Sequence, residues 1–400
     1  MSDTDQKQRQ NERKPGRRRR RRPRRRGGNK GPVTQVQGYL WIRDNGNPVL
    51  VSKENNFVAQ RNDPIIPSEL IRPMHLESGV MIEAKARGTD RPRVFEIDSI
   101  EGMSPQEYRE MAVPFQELVS IDPLERFNLE TDPDIVETRV AELVAPLGKG
   151  QRCLIVSPPK AGKTTLLQQM AHAIAVNHPN TTIFVLLVDE RPEEVTDWKR
   201  SIARGEVFAS SSDQSIESHI RVSEMVFERA RRLVEMGEDV VVFMDSLTRM
   251  SRAYNNAQKG SGRILSGGID ARTMEKPRRF FGSARNVEGG GSLTVVATCL
   301  VDTGSRMDEV IFQEFKGTGN MELILDRSLQ NKRIFPAIDI EPSGTRKEEL
   351  LLSEKALNRV HILRKMMSEL GDTQAALEFV KSKMVATKDN EQFIELMSSD

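Results

Sequence analysis

One stretch of the chain, residues 152–167, constrains the fold more than any other. An apolar run suited to a β-strand, residues 153–156, leads into a loop rich in proline and glycine, residues 157–162. A helix-forming segment then opens at Lys163. Strand, loop and helix in this order are the setting of a phosphate-binding P-loop, where loop N–H groups and the positive end of the helix dipole face the phosphates. The stretch therefore predicts a nucleotide-binding α/β domain.

The side chains of this loop have the chemistry of an ATP and Mg²⁺ site. Lys163 is expected to reach the β- and γ-phosphates, and the hydroxyl of Thr164 is expected to hold Mg²⁺. The usual pattern opens with glycine, whereas Ser157 holds that position here. An ordinary strand-to-helix turn is the alternative, so the rest of the chain has to decide between the two.

Two further apolar runs, residues 181–188 and 239–244, end in carboxylates. Acids at the carboxyl ends of buried parallel strands face the ligand crevice of an open α/β sheet. Glu190 is the candidate to orient the attacking water, and a charge at a helix N-terminus is its alternative role. Asp245 has the place of a Walker B acid that holds Mg²⁺ through its water shell. Because strands and helices alternate, we expect a mainly parallel sheet with helices on both faces.

Residues 33–102 are predicted to form a small β-barrel of the OB or cold-shock type. Its strands are expected at residues 36–43, 49–52, 56–59, 80–86 and 93–100. Tyr39 and Trp41 lie two residues apart and share a strand face with Arg43. An exposed pair of this kind is a stacking platform for bases, with the arginine available to a phosphate. The alternative is that both aromatic side chains are core residues.

The charge of the chain is concentrated at its N-terminus. Residues 1–32 contain 14 Lys and Arg against three acids, which amounts to +11, whereas the whole chain is only +2. The segment offers little apolar surface to bury, so we predict a disordered arm. Its arginines favour polyanions, nucleic acid first, through salt-sensitive phosphate contacts. A localisation signal or a tether to a membrane surface is the alternative.

The remaining composition favours a cytoplasmic protein. Cys153 and Cys299 both lie in apolar runs, which predicts buried free thiols rather than a disulfide framework. No apolar run approaches the length of a membrane span, and the N-terminus lacks the apolar segment of a secretory signal. We therefore expect no membrane association.

Six segments are specific enough, taken together, to indicate a family: residues 158–164, 189–196, 245–254, 278–287, 315–322 and 342–349. They resemble the family of the bacterial transcription termination factor Rho, and the resemblance extends over about residues 36–395. It implies a homohexameric, RecA-type RNA–DNA helicase of the bacterial cytoplasm, which hydrolyses ATP with Mg²⁺ and pulls on nascent RNA. RNA polymerase and elongation factors are further candidate partners.

This resemblance assigns a role to individual residues. Catalytic roles fall on Glu190, Lys163 and Arg346, the last as an arginine finger supplied to the neighbouring subunit. ATP contacts fall on Pro159, Lys160, Ala161, Gly162, Lys163, Thr164, Thr165, Arg191 and Arg333. Metal contacts fall on Thr164 and Asp245. RNA contacts fall on Tyr39, Trp41 and Arg43 in the barrel and, in two pore loops (residues 259–268 and 302–308), on Arg263, Gly267, Gly268 and Arg306.

The chain departs from the family pattern in its N-terminal part. The arginine-rich arm stands where a small helical domain is usual, and Ile65 and Val94 stand where further aromatics of the RNA site are expected. The predicted domains are the arm at 1–32, the barrel at 33–102, a connector at 103–131 and the ATPase domain with C-terminal helices at 132–400.

Two other functions stay open from the sequence. One is a rotary-ATPase-like subunit, which shares the order of β-barrel and ATPase domain. The other is a non-motor RNA-binding protein whose assembly ATP controls. Stimulation of ATP turnover by single-stranded RNA distinguishes both from a translocase.

Overall fold

The computed structural model describes residues 31–43, 46–258, 268–270 and 272–396. Within these residues the strands form two sheets, one of four strands near the N-terminus and one of nine strands after it. The prediction of a disordered arm concerns residues 1–32, of which 1–30 lie outside the described residues.

The first sheet closes into a small barrel. Its strands are antiparallel in the order β2-β1-β3-β4, with β1 at Val33–Trp41, β2 at Val49–Val51, β3 at Met81–Arg87 and β4 at Arg93–Ile100. Residues 64–66 join the two outer strands, since Leu50 donates to the carbonyl of Pro64 and Val94 donates to that of Ile65, each at 2.9 Å. Helix α1, Ser68–Ile71, follows this segment.

The strand predicted at residues 56–59 is wrong. The chain makes a 3-10 turn at Lys53–Asn55, and Asn56 and Phe57 then adopt the left-handed conformation, with φ of 51° and 58°. A strand cannot continue through two such residues. The ring of Phe57 is buried and stacks on Phe208 of the second sheet at 4.9 Å, so its apolar character serves packing between the two sheets.

The second sheet is mainly parallel. Its central order is β13-β12-β6-β11-β9-β7-β8, in which only β13 runs antiparallel to its neighbour. These strands are β6 at Arg152–Ser157, β7 at Thr182–Glu190, β8 at Glu206–Ser211, β9 at Asp239–Asp245, β11 at Ser292–Leu300, β12 at Met321–Leu325 and β13 at Ile338–Thr345. Two short antiparallel strands, β5 at Ser120–Ile121 and β10 at Arg285–Val287, extend β11 at one side.

Helices cover both faces of this sheet, as predicted. Helix α2, Pro105–Met111, packs on the barrel instead, where Tyr108 joins the apolar core. The helices after it are α3 at Val136–Val144, α4 at Lys163–Asn177, α5 at Pro192–Ser201, α6 at Ile216–Glu235, α7 at Leu247–Ala257, α8 at Glu275–Phe281, α9 at Arg306–Lys316, α10 at Arg327–Asn331, α11 at Glu354–Leu370, α12 at Thr373–Met384 and α13 at Asn390–Leu396. Side chains of β6 alternate between two apolar cores, with Cys153 and Ile155 in one and Leu154 and Val156 in the other. The predicted fold class is therefore confirmed.

Both cysteines are buried free thiols, as predicted. Burial raises the pKa of the Cys299 thiol to about 12 and that of Cys153 still further. In the part of the chain that the structure describes, no helix is both long and apolar enough to cross a bilayer.

The barrel rests on helix α6 through two ion pairs, of which the first is nearly buried and the second is partly exposed. Arg229 contacts Glu101 at 2.6 Å, and Arg232 contacts Glu77 at 2.7 Å. A Cβ atom on Gly79 would lie 2.6 Å from the backbone of Glu228. The barrel backbone therefore approaches the backbone of α6 too closely for any residue other than glycine. The barrel and the large sheet thus share a tight, charged junction.

Candidate active site

The P-loop connects β6 to α4 as the sequence predicts. Gly162 caps α4 with φ of 87°, and Lys160 is also left-handed, with φ of 70°. Ser157 does not adopt a positive φ, and its hydroxyl donates to the carbonyl of Pro158 at 2.8 Å. The first position of this loop therefore does not need glycine, which explains the departure from the usual pattern.

Lys163 lies beside the two residues expected to hold a metal. Its Nζ is 2.5 Å from Oδ2 of Asp245 and 3.4 Å from the hydroxyl of Thr164. The hydroxyl of Thr298 donates to the other oxygen of Asp245 at 2.8 Å, and this carboxylate is only 1% exposed. The ends of β6, β11 and β9 thus bring an ammonium group, a carboxylate and two hydroxyl groups into one cluster.

These oxygens suit Mg²⁺ bound together with a phosphate group. Mg²⁺ takes one or two protein carboxylates and completes its shell with water and phosphate oxygens. Asp245 and Thr164 supply such hard oxygen donors, whereas the described residues contain no cluster of three or more His, Cys, Asp or Glu that could hold a metal alone. A nucleotide phosphate would compete with Asp245 for Lys163.

Glu190 lies at the end of β7 beside this cluster. One oxygen is 3.0 Å from the guanidinium of Arg249 and accepts the backbone N–H of Arg191 at 3.2 Å, while the other is buried without a hydrogen-bond partner. Burial, followed by the nearby charge of Asp245, raises the pKa of the Glu190 carboxyl above 4.5. A buried acceptor with a free lone pair is suited to orient a water molecule.

Arg249 is a site residue that the sequence reasoning missed. It extends from α7, one turn beyond Asp245, and also donates to the backbone carbonyl of Asp189. The signal available in the sequence was that Arg249 follows Asp245 by four residues, or about one helical turn. The side chain of Arg191 is exposed, and the contact of Arg191 with the Glu190 carboxylate is made by its backbone N–H. The predicted contact of Arg191 with ATP stays a prediction.

A cavity of about 370 Å³ adjoins the P-loop. The ring of Phe335 lies 3.5 Å from the point where a Cβ atom of Gly162 would be, and it forms one wall. The other walls include Lys160, Ala161, Thr165, Leu166, Leu325 and Pro336. A partly apolar cavity beside a phosphate loop has the size and character for a nucleoside base. The sequence reasoning missed Phe335. Arg333, two residues earlier in the chain, is exposed, and its predicted ATP contact stays a prediction.

Arg346 lies near the amino end of β6, whereas the P-loop follows the carboxyl end of that strand. It follows Thr345, which pairs with Met321 at the start of β12, and Met321 pairs with Cys153 near the start of β6. The strand from Cys153 to the P-loop spans about 13 Å. Because Arg346 is exposed and extends from the far edge, it does not reach the phosphate site of its own chain.

The predicted aromatic pair of the barrel faces helix α6. Tyr39 makes an edge contact with Phe57 at 5.3 Å and lies under the guanidinium of Arg229 at 5.1 Å. Two arginines lie over the ring of Trp41, Arg43 at 4.5 Å and Arg221 at 3.8 Å. Tyr39 and Trp41 are therefore partly buried at the junction, not on an open face as expected. Their contact with RNA stays a prediction.

The two positions where other aromatics were expected offer no stacking surface. Val94 is buried in the barrel core, and Ile65 forms the bridges that close the barrel.

The predicted pore loops are only partly described. Arg263 and Gly267 lie outside the described residues, and the carbonyl of Gly268 accepts a hydrogen bond from Asn255 at 3.4 Å. Arg306 is exposed as the first residue of α9. Asp308, two residues further, is held by Arg252 of α7 through contacts of 2.9 and 2.5 Å. The second loop is thereby attached to the helix that follows Asp245.

Comparison with known proteins identifies the family of this chain. A transcription termination factor Rho from Borreliella burgdorferi is 48% identical over 365 residues, which cover 90% of this chain and 70% of the relative. A second, from Aquifex aeolicus, is 47% identical over 376 residues, with 92% and 86% covered. The chain belongs to the transcription termination factor Rho family. The resemblance found in the six sequence segments is confirmed.

The core of this Rho-family chain has a broader relationship. Residues 138–345 match the ATP synthase alpha/beta family, nucleotide-binding domain. A type III secretion ATPase of pathogenic bacteria superposes with a TM-score of 0.57 at 19% identity, covering 70% of this chain and 87% of that one. An ATP synthase subunit from Nanoarcheaum equitans gives 0.60 at 20%, covering 70% and 77%. These structures share the fold, and the family match makes the chain a nucleotide-binding ATPase with a RecA-like core.

Proposed function

We propose that this Rho-family protein is an ATP-driven RNA translocase and RNA–DNA helicase that terminates transcription. The cluster of Lys163, Thr164, Asp245 and Glu190 at one edge of a parallel sheet carries the proposal. It supplies the parts that phosphoryl transfer to water requires, namely a phosphate-binding lysine, oxygen donors for Mg²⁺ and a carboxylate beside the phosphates. The relatives named for termination connect this chemistry to transcription.

The catalytic groups act by position and charge. Lys163 neutralises charge that develops on the transferred phosphate, and Mg²⁺, when bound by Thr164 and Asp245, adds to this stabilisation. Glu190 orients the attacking water with its free oxygen. Arg249 holds the other oxygen of Glu190 at 3.0 Å and so fixes the carboxylate. The cavity beside Phe335 takes the base of ATP.

The position of Arg346 supports a ring of identical subunits. Since Arg346 lies on the edge of the sheet away from its own P-loop, it can stabilise only the ATP of a neighbouring chain. An arginine supplied in this way typically contributes about 10³ to 10⁵ in rate. A homohexamer places six such composite sites around a pore, with Arg306, the first residue of α9, facing RNA.

RNA reaches the ring through its N-terminal part. The arginine-rich arm supplies nonspecific affinity, and the barrel residues Tyr39, Trp41 and Arg43 supply the first contacts. The half-buried state of the pair means that RNA must compete with Arg221 for the face of Trp41. RNA polymerase and elongation factors are further partners in this proposal.

ATP turnover of the full chain with and without single-stranded homopolymer RNA tests the function. We expect RNA to stimulate the wild type, and Lys163→Ala and Glu190→Gln each to lose about 10² or more of the stimulated rate. Met111→Ala, at a residue 64% exposed outside these sites, is the matched control.

Full turnover in either active-site variant contradicts the assignment. A wild type that hydrolyses ATP at the same rate without RNA supports the rotary-type alternative. RNA binding without steady ATP turnover supports the second alternative, a non-motor RNA-binding protein whose assembly is controlled by ATP.

A further inference from the structure

The strand that carries Glu190 ends in a bulge. Val188 pairs with Ser210 of β8 and Glu190 pairs with Ser211, which leaves Asp189 as the extra residue. Asp189 is left-handed, with φ of 55°, a conformation that is unfavourable for most residues other than glycine and persists where contacts hold it. A bulge redirects the side chains next to it, so the direction of the Glu190 carboxylate depends on how Asp189 is held.

Contacts from neighbouring segments hold the main chain at this bulge. The guanidinium of Arg249 in α7 donates to the carbonyl of Asp189, and the backbone N–H of Ser212 donates to the carbonyl of Glu190 at 2.9 Å. The side chain of Asp189 faces α6, because Nε2 of His219 lies 4.0 Å from its Oδ1. Hydrogen bonds are shorter, so a movement of about 1 Å by this carboxylate, which is 42% exposed, completes the contact.

A cluster of polar side chains fixes the ring of His219. Its Nδ1 is 2.7 Å from the hydroxyl of Ser210, which is fully buried. The amide oxygen of Gln214 also lies 3.0 Å from this hydroxyl, but it already accepts from Ser218 at 2.9 Å. The proton of Ser210 can therefore turn to Nδ1, which leaves the ring proton on Nε2, the nitrogen that faces Asp189.

The His219 ring is suited to hold this carboxylate as a neutral donor. It is only 7% exposed, and burial lowers its pKa below 6.5 against the opposing effect of Asp189. The ring is therefore neutral at pH 7 or above and offers one N–H. Within the described residues, hydrogen bonds and ion pairs connect this side chain to Ser210 and Asp189 and not to Lys163. It therefore influences the phosphate site through the bulge.

We propose that His219 is a positioning residue for ATP hydrolysis. It holds the carboxylate of Asp189 and so keeps the bulge in the shape that directs Glu190 at the attacking water. Arg249 acts in the same way from α7, by holding the carbonyl of Asp189 and the carboxylate of Glu190. A displacement of about 1 Å at a catalytic group can cost about 100-fold in rate, so a contact of this kind has a measurable effect. This inference rests on the role of Glu190 in the proposed function.

Steady-state ATP turnover of the full chain with saturating polycytidylate RNA tests this role. In His219→Asn the shorter side chain still accepts from Ser210 but no longer reaches Asp189. We therefore expect kcat to fall about 10- to 100-fold while the KM for ATP stays within about twofold. His219→Gln places an amide N–H near the position of Nε2 and should recover most of kcat. His172→Asn, at an exposed histidine of α4, is the matched control and should turn over as the wild type does.

A double-mutant cycle separates positioning from a general effect on folding. Asp189→Ala should lower kcat by a similar factor, and adding His219→Asn should cost little more, because the two residues act as one unit. The cycle cancels whatever each change does separately. Losses that multiply in the double variant overturn the proposal, and so does a His219→Asn protein whose kcat is within about twofold of the wild type.

Melting temperatures identify any variant that fails to fold. Should His219→Asn fail, Asp189→Ala alone decides, since that carboxylate is exposed. A lowered kcat with an unchanged KM then supports the proposal, and a wild-type kcat overturns it. A wild type whose turnover RNA does not stimulate refutes the proposed function, and the cycle is then measured on the unstimulated rate. Coupling of His219 and Asp189 in that rate still supports the positioning role, and its absence overturns it.

Discussion

Among single residues, two buried carboxylic acids are expected to make the stability of this protein depend on pH. Glu142 of α3 is 2% exposed, accepts the backbone N–H of Leu129 at 2.6 Å and lies 3.3 Å from Arg126. Burial outweighs these partners and raises the pKa of Glu142 from 4.5 to about 7. Burial raises the pKa of Glu235, at the barrel junction, to about 7 as well.

The first prediction concerns Glu142→Gln. Because the pKa is higher in the folded state, the folded chain holds a proton that the unfolded chain releases between pH 4.5 and about 7. The stabilising contribution is complete below pH 4.5 and is lost as the pH rises through about 7. The free energy of unfolding should fall by on the order of 3 kcal/mol over this range. Glutamine does not titrate, so this decline should be absent from Glu142→Gln. Denaturant unfolding at pH 5 and pH 8 should show a smaller decline for the variant.

Glu117→Gln, at an exposed position, is the control and should decline with pH as the wild type does. An equal decline in Glu142→Gln and in the wild type would show that Glu142 is ionised throughout this range.

At the level of elements, the contact between α7 and α9 connects the nucleotide site to the loop of Arg306. Arg252 of α7 holds Asp308 of α9, and the hydroxyl of Thr303 donates to the same carboxylate at 2.6 Å. Asp308 is 1% exposed, whereas the Arg252 side chain is 41% exposed. Loss of Arg252 therefore leaves a buried charge with a single side-chain donor.

We expect Arg252→Ala to lower the free energy of unfolding by about 1–3 kcal/mol. Arg252→Lys should cost less, although a lysine cannot reproduce the two-point contact. Adding Asp308→Asn to Arg252→Ala should recover part of the loss, because the buried charge is then removed. Urea denaturation of the four proteins measures these differences, and an unchanged midpoint in Arg252→Ala would rule out a stabilising role for the pair.

At the level of the whole molecule, the ATPase site is divided between chains in our proposal. Lys163 follows the carboxyl end of β6, whereas Arg346 lies near the amino end of that strand. Each interface therefore needs the lysine of one chain and the arginine of the next. A change at either residue should inactivate a ring made of one kind of subunit.

Mixed rings test this division. Lys163→Ala and Arg346→Ala proteins should each lack RNA-stimulated ATPase. Denaturing and refolding them together should restore measurable turnover, because some interfaces then combine an intact lysine with an intact arginine. Refolding each protein alone is the control. A mixture that stays inactive, or an Arg346→Ala protein with wild-type turnover, argues against a site shared between chains.

The sequence predicts those catalytic residues whose positions follow from a short pattern of neighbouring residues. An apolar run that ends in an acid specifies where Glu190 and Asp245 emerge from the sheet, because parallel strands end at one edge. Phe335 escaped prediction because it contacts Gly162 from a distant connection of the chain. The strand expected at residues 56–59 failed because the apolar side chain of Phe57 packs between two sheets instead of within one.

The sequence by itself determined the P-loop, the acids at the strand ends, the α/β fold class and the family, since each depends on residues close together along the chain. Only the tertiary structure decided that Lys163 pairs with Asp245, that Arg249 fixes Glu190 and that Arg346 faces away from its own P-loop. It also turned Tyr39 and Trp41 toward α6. Such contacts depend on how strands are ordered and which faces are covered, and no local pattern encodes that order.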